Sequence, residues 1–316
     1  MCCQPGGTAM TAAPAFAELL RRHLGIPAVG EAFGGDEMLV AFAKGQAEFM
    51  MGSEVQARIA VIEPMEGTAL DTALPLRQVL KGYRKTYGLM VRRDSDIWSL
   101  EDLRGKSVVL LNESSLATGL AAQATLEVSG LTLEDFKHYD GSEWKTGFDG
   151  IKDNRIDAWL YTVGSPYDVQ PASRTMELDA AVSIRLVDYG QEKAEAACKI
   201  YGGYDVVQIP AGWVNKYQTE PLWSIGNTTS PICLADAPES FIYAATKAIW
   251  ENLEELQAMV GMFNDYELPR GAENPAIPFH PGAVKYYKEI GVWTPETEAR
   301  QQALLDQAQV AWDRTH

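Results

Sequence analysis

Strand and helix signals alternate along this chain from its start, and that alternation restricts it to an α/β fold with largely parallel sheets. The run Ser107-Val108-Val109-Leu110-Leu111 reads as a central strand, because its β-branched residues suit a sheet covered on both faces. Asn112 to Ser115 then delivers the chain into a helix from about Leu116 to Val128. Upstream, Thr11 to Leu24 places Phe16, Leu19, Leu20 and Leu24 on one helical stripe, and Gly34-Gly35-Asp36 opens a second helix. Ala47 to Met51 is a short buried strand running into Gly52-Ser53-Glu54. Tyr83 to Arg92 alternates through Tyr87, Leu89 and Val91 as a strand, and Ser99 to Leu103 is a capped helical turn. Further on, Phe148 to Asn154 is helical and Ile156 to Tyr161 is a strand that ends at a loop, Thr162-Val163-Gly164-Ser165-Pro166. Val182–Val187, Tyr204–Ile209 and Leu222–Leu234 are extended. Pro238 starts an amphipathic helix that runs through Leu256, and a last helix fills the tail from Pro295.

The order is that of a bilobate α/β protein of the type II periplasmic-binding-protein class, with two lobes joined by two crossover hinge segments. At 316 residues the chain has room for about two domains. Residues 1–90 with 222–316 are assigned to lobe one and residues 91–221 to lobe two. The hinges are placed at Tyr83–Arg93 and Pro221–Leu234, since two crossovers permit closure on a ligand.

A net charge of −16 argues against nucleic acid, which needs a basic face, and against an anionic membrane surface. No apolar run reaches the ~18 residues of a membrane helix. The four cysteines (Cys2, Cys3, Cys198, Cys233) contain no C-x-x-C pair, and the four histidines are scattered. No metal and no cofactor are therefore expected. Cys198 and Cys233 are open to two readings, a disulfide or buried free thiols, of which the thiols are favoured. No G-x-S-x-G or H-E-x-x-H occurs and no nucleophile has a histidine placed beside it by motif, so the expectation is a protein without enzymatic activity.

Ligands of open parallel sheets bind at the carboxyl ends of strands, where loops feed helix N-termini. Four loops fit that description. They supply Gly7 and Thr8; Ser53 and Glu54; Ser114, Ser115 and Thr118; and Thr162, Gly164 and Ser165. Tyr87 and Tyr204 lie near the crossovers and complete the candidate set, although core or hinge packing is the favoured reading for each. Hydroxyls and helix ends would hold an anion here without an arginine. Glu54 would repel that anion, so it is expected either to meet an ammonium group or to point away. Ser114 and Ser115 are also ordinary helix caps.

The segment Pro278-Phe279-His280-Pro281-Gly282-Ala283, followed by Tyr286, Tyr287, Glu289 and Gly291, has a proline suited to a first helical turn and nothing catalytic. It resembles the C-terminal signature of the TAXI proteins, the receptors of one branch of TRAP transporters. Gly6-Gly7-Thr8, Gly34-Gly35, Gly45 to Phe49, Gly52-Ser53-Glu54, Ser99 to Lys106, Ile209-Pro210-Ala211-Gly212 and Ala244 to Leu256 resemble that family in the same order. Ala9-Met10 departs from its usual aromatic pair, and Glu54 from its usual Asp. The resemblance implies an extracytoplasmic receptor that captures a small organic acid or amino acid, such as glutamate, glutamine or a 2-oxo or dicarboxylic acid. It implies delivery to TRAP membrane subunits with fused small and large permease domains. It also implies a strand before Gly6 and a secretion leader, both expected to have been left out of this sequence. The alternatives are the binding protein of an ABC importer and a cytoplasmic ligand sensor of the same fold.

Overall fold

A computed structural model describes residues 2–3, 9–32, 37–45, 47–110, 116–140 and 144–316. The chain forms two compact units, Met1–Tyr83 with Thr228–His316, and Arg84–Asn227. Unit one begins with β1 (Cys2–Cys3), α1 (Ala9–Leu24), β2 (Glu31–Ala32), α2 (Glu37–Ala43), β3 (Met50–Ser53), α3 (Glu54–Val61) and β4 (Leu76–Gln78). The strand β5 (Tyr83–Arg92) leads into unit two. There follow β6 (Ser107–Val109), α4 (Leu116–Ser129), β7 (His138–Asp140), α5 (Trp144–Lys152), β8 (Ala158–Gly164), α6 (Ser173–Val182), β9 (Ile184–Val187), α7 (Gln191–Ile200) and β10 (Tyr204–Ile209). The strand β11 (Leu222–Leu234) leads back to unit one, which ends with α8 (Glu239–Glu251), α9 (Leu253–Met259), α10 (Pro281–Glu289) and α11 (Pro295–Thr315). The Gly34-Gly35-Asp36 helix start lies outside the described residues.

Sheets are mixed rather than largely parallel. In unit one β1 runs parallel between β2 and β3, but β3 and β4 both pair antiparallel with the second half of β11. In unit two β8, β6 and β7 are parallel, whereas the central strand β5 is antiparallel to β8 on one side and to β9 on the other. The connecting strands β5 and β11 run against their neighbours, which local sequence patterns do not reveal. Two further expectations change. Residues 162–164 continue β8 instead of forming a loop, and the next helix starts only at Ser173. The helix expected from Pro238 through Leu256 breaks at Asn252, whose φ/ψ of −124°/33° separates α8 from α9.

The core of unit one gathers Phe16 from α1, Tyr83, Phe263, Tyr266 and Tyr287. Phe16 and Phe263 rings lie 5.6 Å apart, and Tyr83 stacks on Tyr266 at 6.4 Å. Pairs of this kind add about 0.5–1.5 kcal/mol each beyond their buried area. The core of unit two sits on one face of β5, where Met90 meets Trp159, Val163 and Leu186 beneath α5 and α6.

The Pro278–Gly291 segment is a docking device. His280 is the N-cap of α10 and Pro281 its first helical residue. The Gly282 N–H donates to His280 Nδ1 at 3.1 Å, and His280 Nε2 donates to the Ala237 carbonyl at 3.0 Å. Both ring nitrogens are thereby fixed in one neutral tautomer. A Cβ on Gly282 would come 2.4 Å from the Glu239 carbonyl and 2.7 Å from the Tyr243 nitrogen, so only glycine lets α10 approach α8 this closely. Tyr287 donates to the Val79 carbonyl at 2.9 Å and accepts from Trp250 Nε1 at 3.2 Å.

Burial holds the His280 pKa below its ordinary value. The neutral-ring stability is therefore present above the unfolded value of about 6.5 and lost as pH falls toward the lower folded one. Urea unfolding across pH 4–8 should show this acid loss in the parent and much less of it in His280→Asn, which keeps a capping side chain. Identical pH profiles would remove the histidine from the acid response.

Candidate functional site

Unit one contributes a polar group where β3 turns directly into α3. Ser53 is the N-cap of α3, with no side-chain cap bond, and lies opposite Thr229 of β11, whose buried hydroxyl has no partner among the described residues. Glu54 is 2% exposed. Its Oε1 accepts from Gln78 Nε2 at 2.7 Å and from Ser230 Oγ at 2.5 Å. Ser230 Oγ in turn accepts the Gly82 N–H at 2.9 Å. Gln78 reaches the other way, accepting the Ala276 N–H at 3.2 Å and pairing through its backbone with Pro278 and His280. The Oε1 of Glu54 is therefore engaged inside unit one. It ties α3 to β4, to β11 and to the segment before α10. Removing it takes the charged acceptor from the Gln78 amide and from the buried Ser230 hydroxyl, so Glu54→Ala should cost about 2–3 kcal/mol in urea unfolding. A loss below the error of that measurement would show that the network does not stabilise the unit.

Unit two contributes one face of β5. Successive side chains of a strand alternate between faces, so Lys85 and Tyr87 share the face turned away from the Met90 core. Tyr87 is paired with Thr162 of β8, and Thr86 with Gly164, the intervening Val163 being a bulge. Thr162 thus joins the Lys85–Tyr87 face, while Gly164 belongs to the other. Ser165 is one residue past the end of β8, where its carbonyl accepts the Asp168 N–H at 3.0 Å. It is 3% exposed and its hydroxyl has no partner among the described residues.

The first turn of α4 lies over Tyr87. The Tyr87 hydroxyl accepts from Asn227 Nδ2 at 3.0 Å and is hydrogen-bonded to Thr118. Its ring meets that of Tyr204 edge-on at 6.2 Å, and the Tyr204 hydroxyl donates to the Ala117 carbonyl. Burial raises both phenol pKa values, which makes them neutral hydrogen-bonding groups rather than bases at neutral pH. Of the residues expected from sequence, the structure thus brings Tyr87, Thr118, Thr162 and Tyr204 together in unit two, while Ser165 lies just past the end of β8. Ser53 and Glu54 stand in unit one. Gly7, Thr8, Ser114 and Ser115 lie outside the described residues.

Lys85 and Thr229 were not among the residues expected. Lys85 is half-buried, makes no ion pair or side-chain hydrogen bond among the described residues, and is held by desolvation alone at a pKa of about 8. The one signal in the sequence is its alternation with Tyr87. The two cysteines Cys198 and Cys233 are free thiols, and burial lifts Cys198 to about 12. Among the described residues no group of three or more His, Cys, Asp or Glu side chains is placed to hold a metal ion. No described helix is long and apolar enough to cross a membrane.

Residues 58–291 match the model of the NMT1-like family, well over half of the chain. The chain belongs to the NMT1-like family. Solved structures place this NMT1-like protein among the type II periplasmic binding proteins by fold. PhnD1 from Prochlorococcus marinus, in complex with methylphosphonate, is 9% identical, covers 92% of this chain and 97% of its own, and gives a TM-score of 0.54. A periplasmic sulfonate-binding protein, SsuA of a putative sulfonate ABC transporter from Methylobacillus flagellatus, is 17% identical over 97% of this chain and 94% of that one, with a TM-score of 0.50. XAC2383 from Xanthomonas citri, bound to chloride ion, is 14% identical over 99% and 98%, also at 0.50. For the NMT1-like chain these likenesses establish the fold, and the bilobate α/β expectation holds.

Proposed function

We propose that this protein is an extracytoplasmic solute-binding receptor that hands a small acidic solute to a membrane importer. The observation that carries the reading is the connectivity. Two separately compact α/β units exchange the chain twice, at Tyr83/Arg84 and at Asn227/Thr228, and two crossings are what a hinge-closing receptor requires. These two points are the proposed hinges, inside the expected segments Tyr83–Arg93 and Pro221–Leu234. Membership in the NMT1-like family and the periplasmic-binding fold support the same conclusion. The candidate binding residues are Tyr87, Thr118, Thr162, Ser165 and Tyr204 of unit two; Ser53 of unit one is a separate candidate. Glu54 is proposed as a positioning residue, which leaves no assigned partner for an ammonium group. Amine-free acids are accordingly preferred over glutamate or glutamine.

For the importer, an ABC-type system is the reading to which fold neighbours such as the SsuA protein lend support. A TRAP system is the second, favoured by the residues of the Pro278–Gly291 segment. A gene neighbour encoding a nucleotide-binding subunit would point to the first and a fused multi-span permease to the second. The receptor reading itself is tested by thermal shift of the purified protein against 2-oxo acids, dicarboxylates, amino acids, sulfonates and phosphonates. A true solute at about 100 times its Kd should stabilise the protein by about 2.7 kcal/mol. No shift from any of these classes would count decisively against a receptor for small acids.

A further inference from the structure

Lys85 is the most unusual residue of unit two. The chain carries 43 acidic side chains against 27 lysines and arginines, so carboxylates are plentiful. On the same unit Lys106 meets Asp96 at 2.7 Å, and Lys193 is bound to Glu101. Lys85 has neither an ion pair nor a hydrogen bond among the described residues, although it stands in the central strand and is half-buried. A buried ammonium group without a counter-charge is costly, and its neighbours do nothing to offset that cost. Just past the end of β8, Ser165 keeps a buried hydroxyl that also lacks a partner among the described residues. Tyr87, two residues along the same face, has its hydroxyl tied to Asn227 and Thr118. Its position is therefore fixed, and it walls that face without competing for an incoming group. Thr162 stands on the face as well.

A cation and a hydroxyl donor without partners among the described residues, together with a fixed aromatic ring, are the donor set for an oxyanion. We propose that Lys85 is the specificity residue of this protein, its ammonium group receiving the oxyanion of the solute with Ser165 Oγ donating alongside it. The inference rests on the receptor reading and narrows it. The solute class is a small oxyacid, and the oxyanion partner is a side chain of β5 rather than a helix end. Carboxylates, phosphonates and sulfonates share this chemistry. A compact ammonium group accepts any of them as a point charge, whereas a guanidinium would demand a planar bidentate partner.

The test is titration calorimetry of the full chain and its Lys85→Met, Lys85→Arg and Ser165→Ala variants. The probes are succinate, 2-oxoglutarate, methylphosphonate and ethanesulfonate, with L-glutamine and glycerol as solutes lacking a net charge. The parent is expected to bind at least one oxyacid, and the best of the four tells carboxylate from phosphonate or sulfonate. Lys85→Met should weaken that binding roughly 100-fold, because one partner of a close charge pair is removed. Lys85→Arg should recover part of it, and Ser165→Ala should cost about tenfold. Melting curves of Lys85→Met no lower than the parent exclude misfolding as the cause. An oxyacid bound equally by parent and Lys85→Met would overturn the assignment. So would tight binding of glutamine or glycerol that is unchanged in Lys85→Met, and both results leave the receptor reading standing. Absence of binding by the parent to every probe would bring down the receptor reading and this inference with it.

Discussion

Lys85→Met is expected to make the unliganded protein more stable at pH 7, by about 1–3 kcal/mol. The ceiling follows from desolvation, which moves this lysine from 10.5 to about 8, each unit being worth 1.36 kcal/mol. Residual exposure of the half-buried side chain trims it. The sign is fixed by proton linkage. Below pH 8 folded and unfolded chains both carry the charge, and the folded chain bears the whole cost. Between about 8 and 10.5 the unfolded chain binds more protons, so stability of the parent climbs with pH. Above that window the cost is gone. Methionine, similar in length and uncharged, removes the climb as well as the cost. Urea unfolding at pH 7 and pH 10 measures both, with the gap between the two proteins closing at the higher pH. A Lys85→Met protein that is less stable at pH 7, with the same pH slope as the parent, would show that the ammonium group is well solvated. A residue that lowers stability while serving binding is the usual mark of a site held ready for a ligand.

Gly82→Ala should be among the most damaging single substitutions in unit one, costing about 3 kcal/mol or more. An added Cβ would sit 1.8 Å from the Thr229 carbonyl oxygen and 2.8 Å from Ser230 Cα. Those are backbone atoms of β11, held by pairing with β3, so they cannot swing aside as a side chain would. Gly82 cannot retreat either. Its N–H is bonded to Ser230 Oγ and its carbonyl accepts from Arg270 Nη1 at 2.8 Å. Ser230→Ala is the matched control, since it removes the hydrogen bonds to Gly82 and Glu54 without a clash and should cost about 1–2 kcal/mol. If Gly82→Ala proves no worse than Ser230→Ala in urea unfolding, the close approach does not limit stability.

Much of the scaffold is legible in the sequence where patterning is strong. The strands Tyr83–Arg92, Tyr204–Ile209 and Leu222–Leu234 occupy the stretches their alternation marks out, and Pro281 opens α10 as its conformational preference dictates. The misreadings share one cause, which is non-local pairing. Thr162-Val163-Gly164 carries breaker residues, yet the ladder with Thr86 and Tyr87 holds it in β8. The stripe through Leu256 is periodic on both sides of Asn252, so the break is invisible to periodicity; there Asn252 Nδ2 donates to the Ala248 carbonyl at 2.8 Å. Glu54 looks like a ligand-facing acid because its partners are 24 and 176 positions away. Lys85 is hidden for the opposite reason. Tyr-Arg-Lys-Thr-Tyr reads as a solvated strand end, and the missing counter-charge becomes evident only once the neighbouring strands are in place.

The histidine, proline and glycine at 280–282 are fixed by a cap, a helix start and a close helix approach, all inside unit one, whereas Lys85 belongs to unit two. The most recognisable stretch of the chain is thus a seal of manufacture and not a cargo label. Proteins that share it inherit a way of seating one helix on another, while their solutes are free to diverge. Grouping such receptors by this stretch will mix different cargoes, and sorting them by the residue at position 85 should separate those cargoes again.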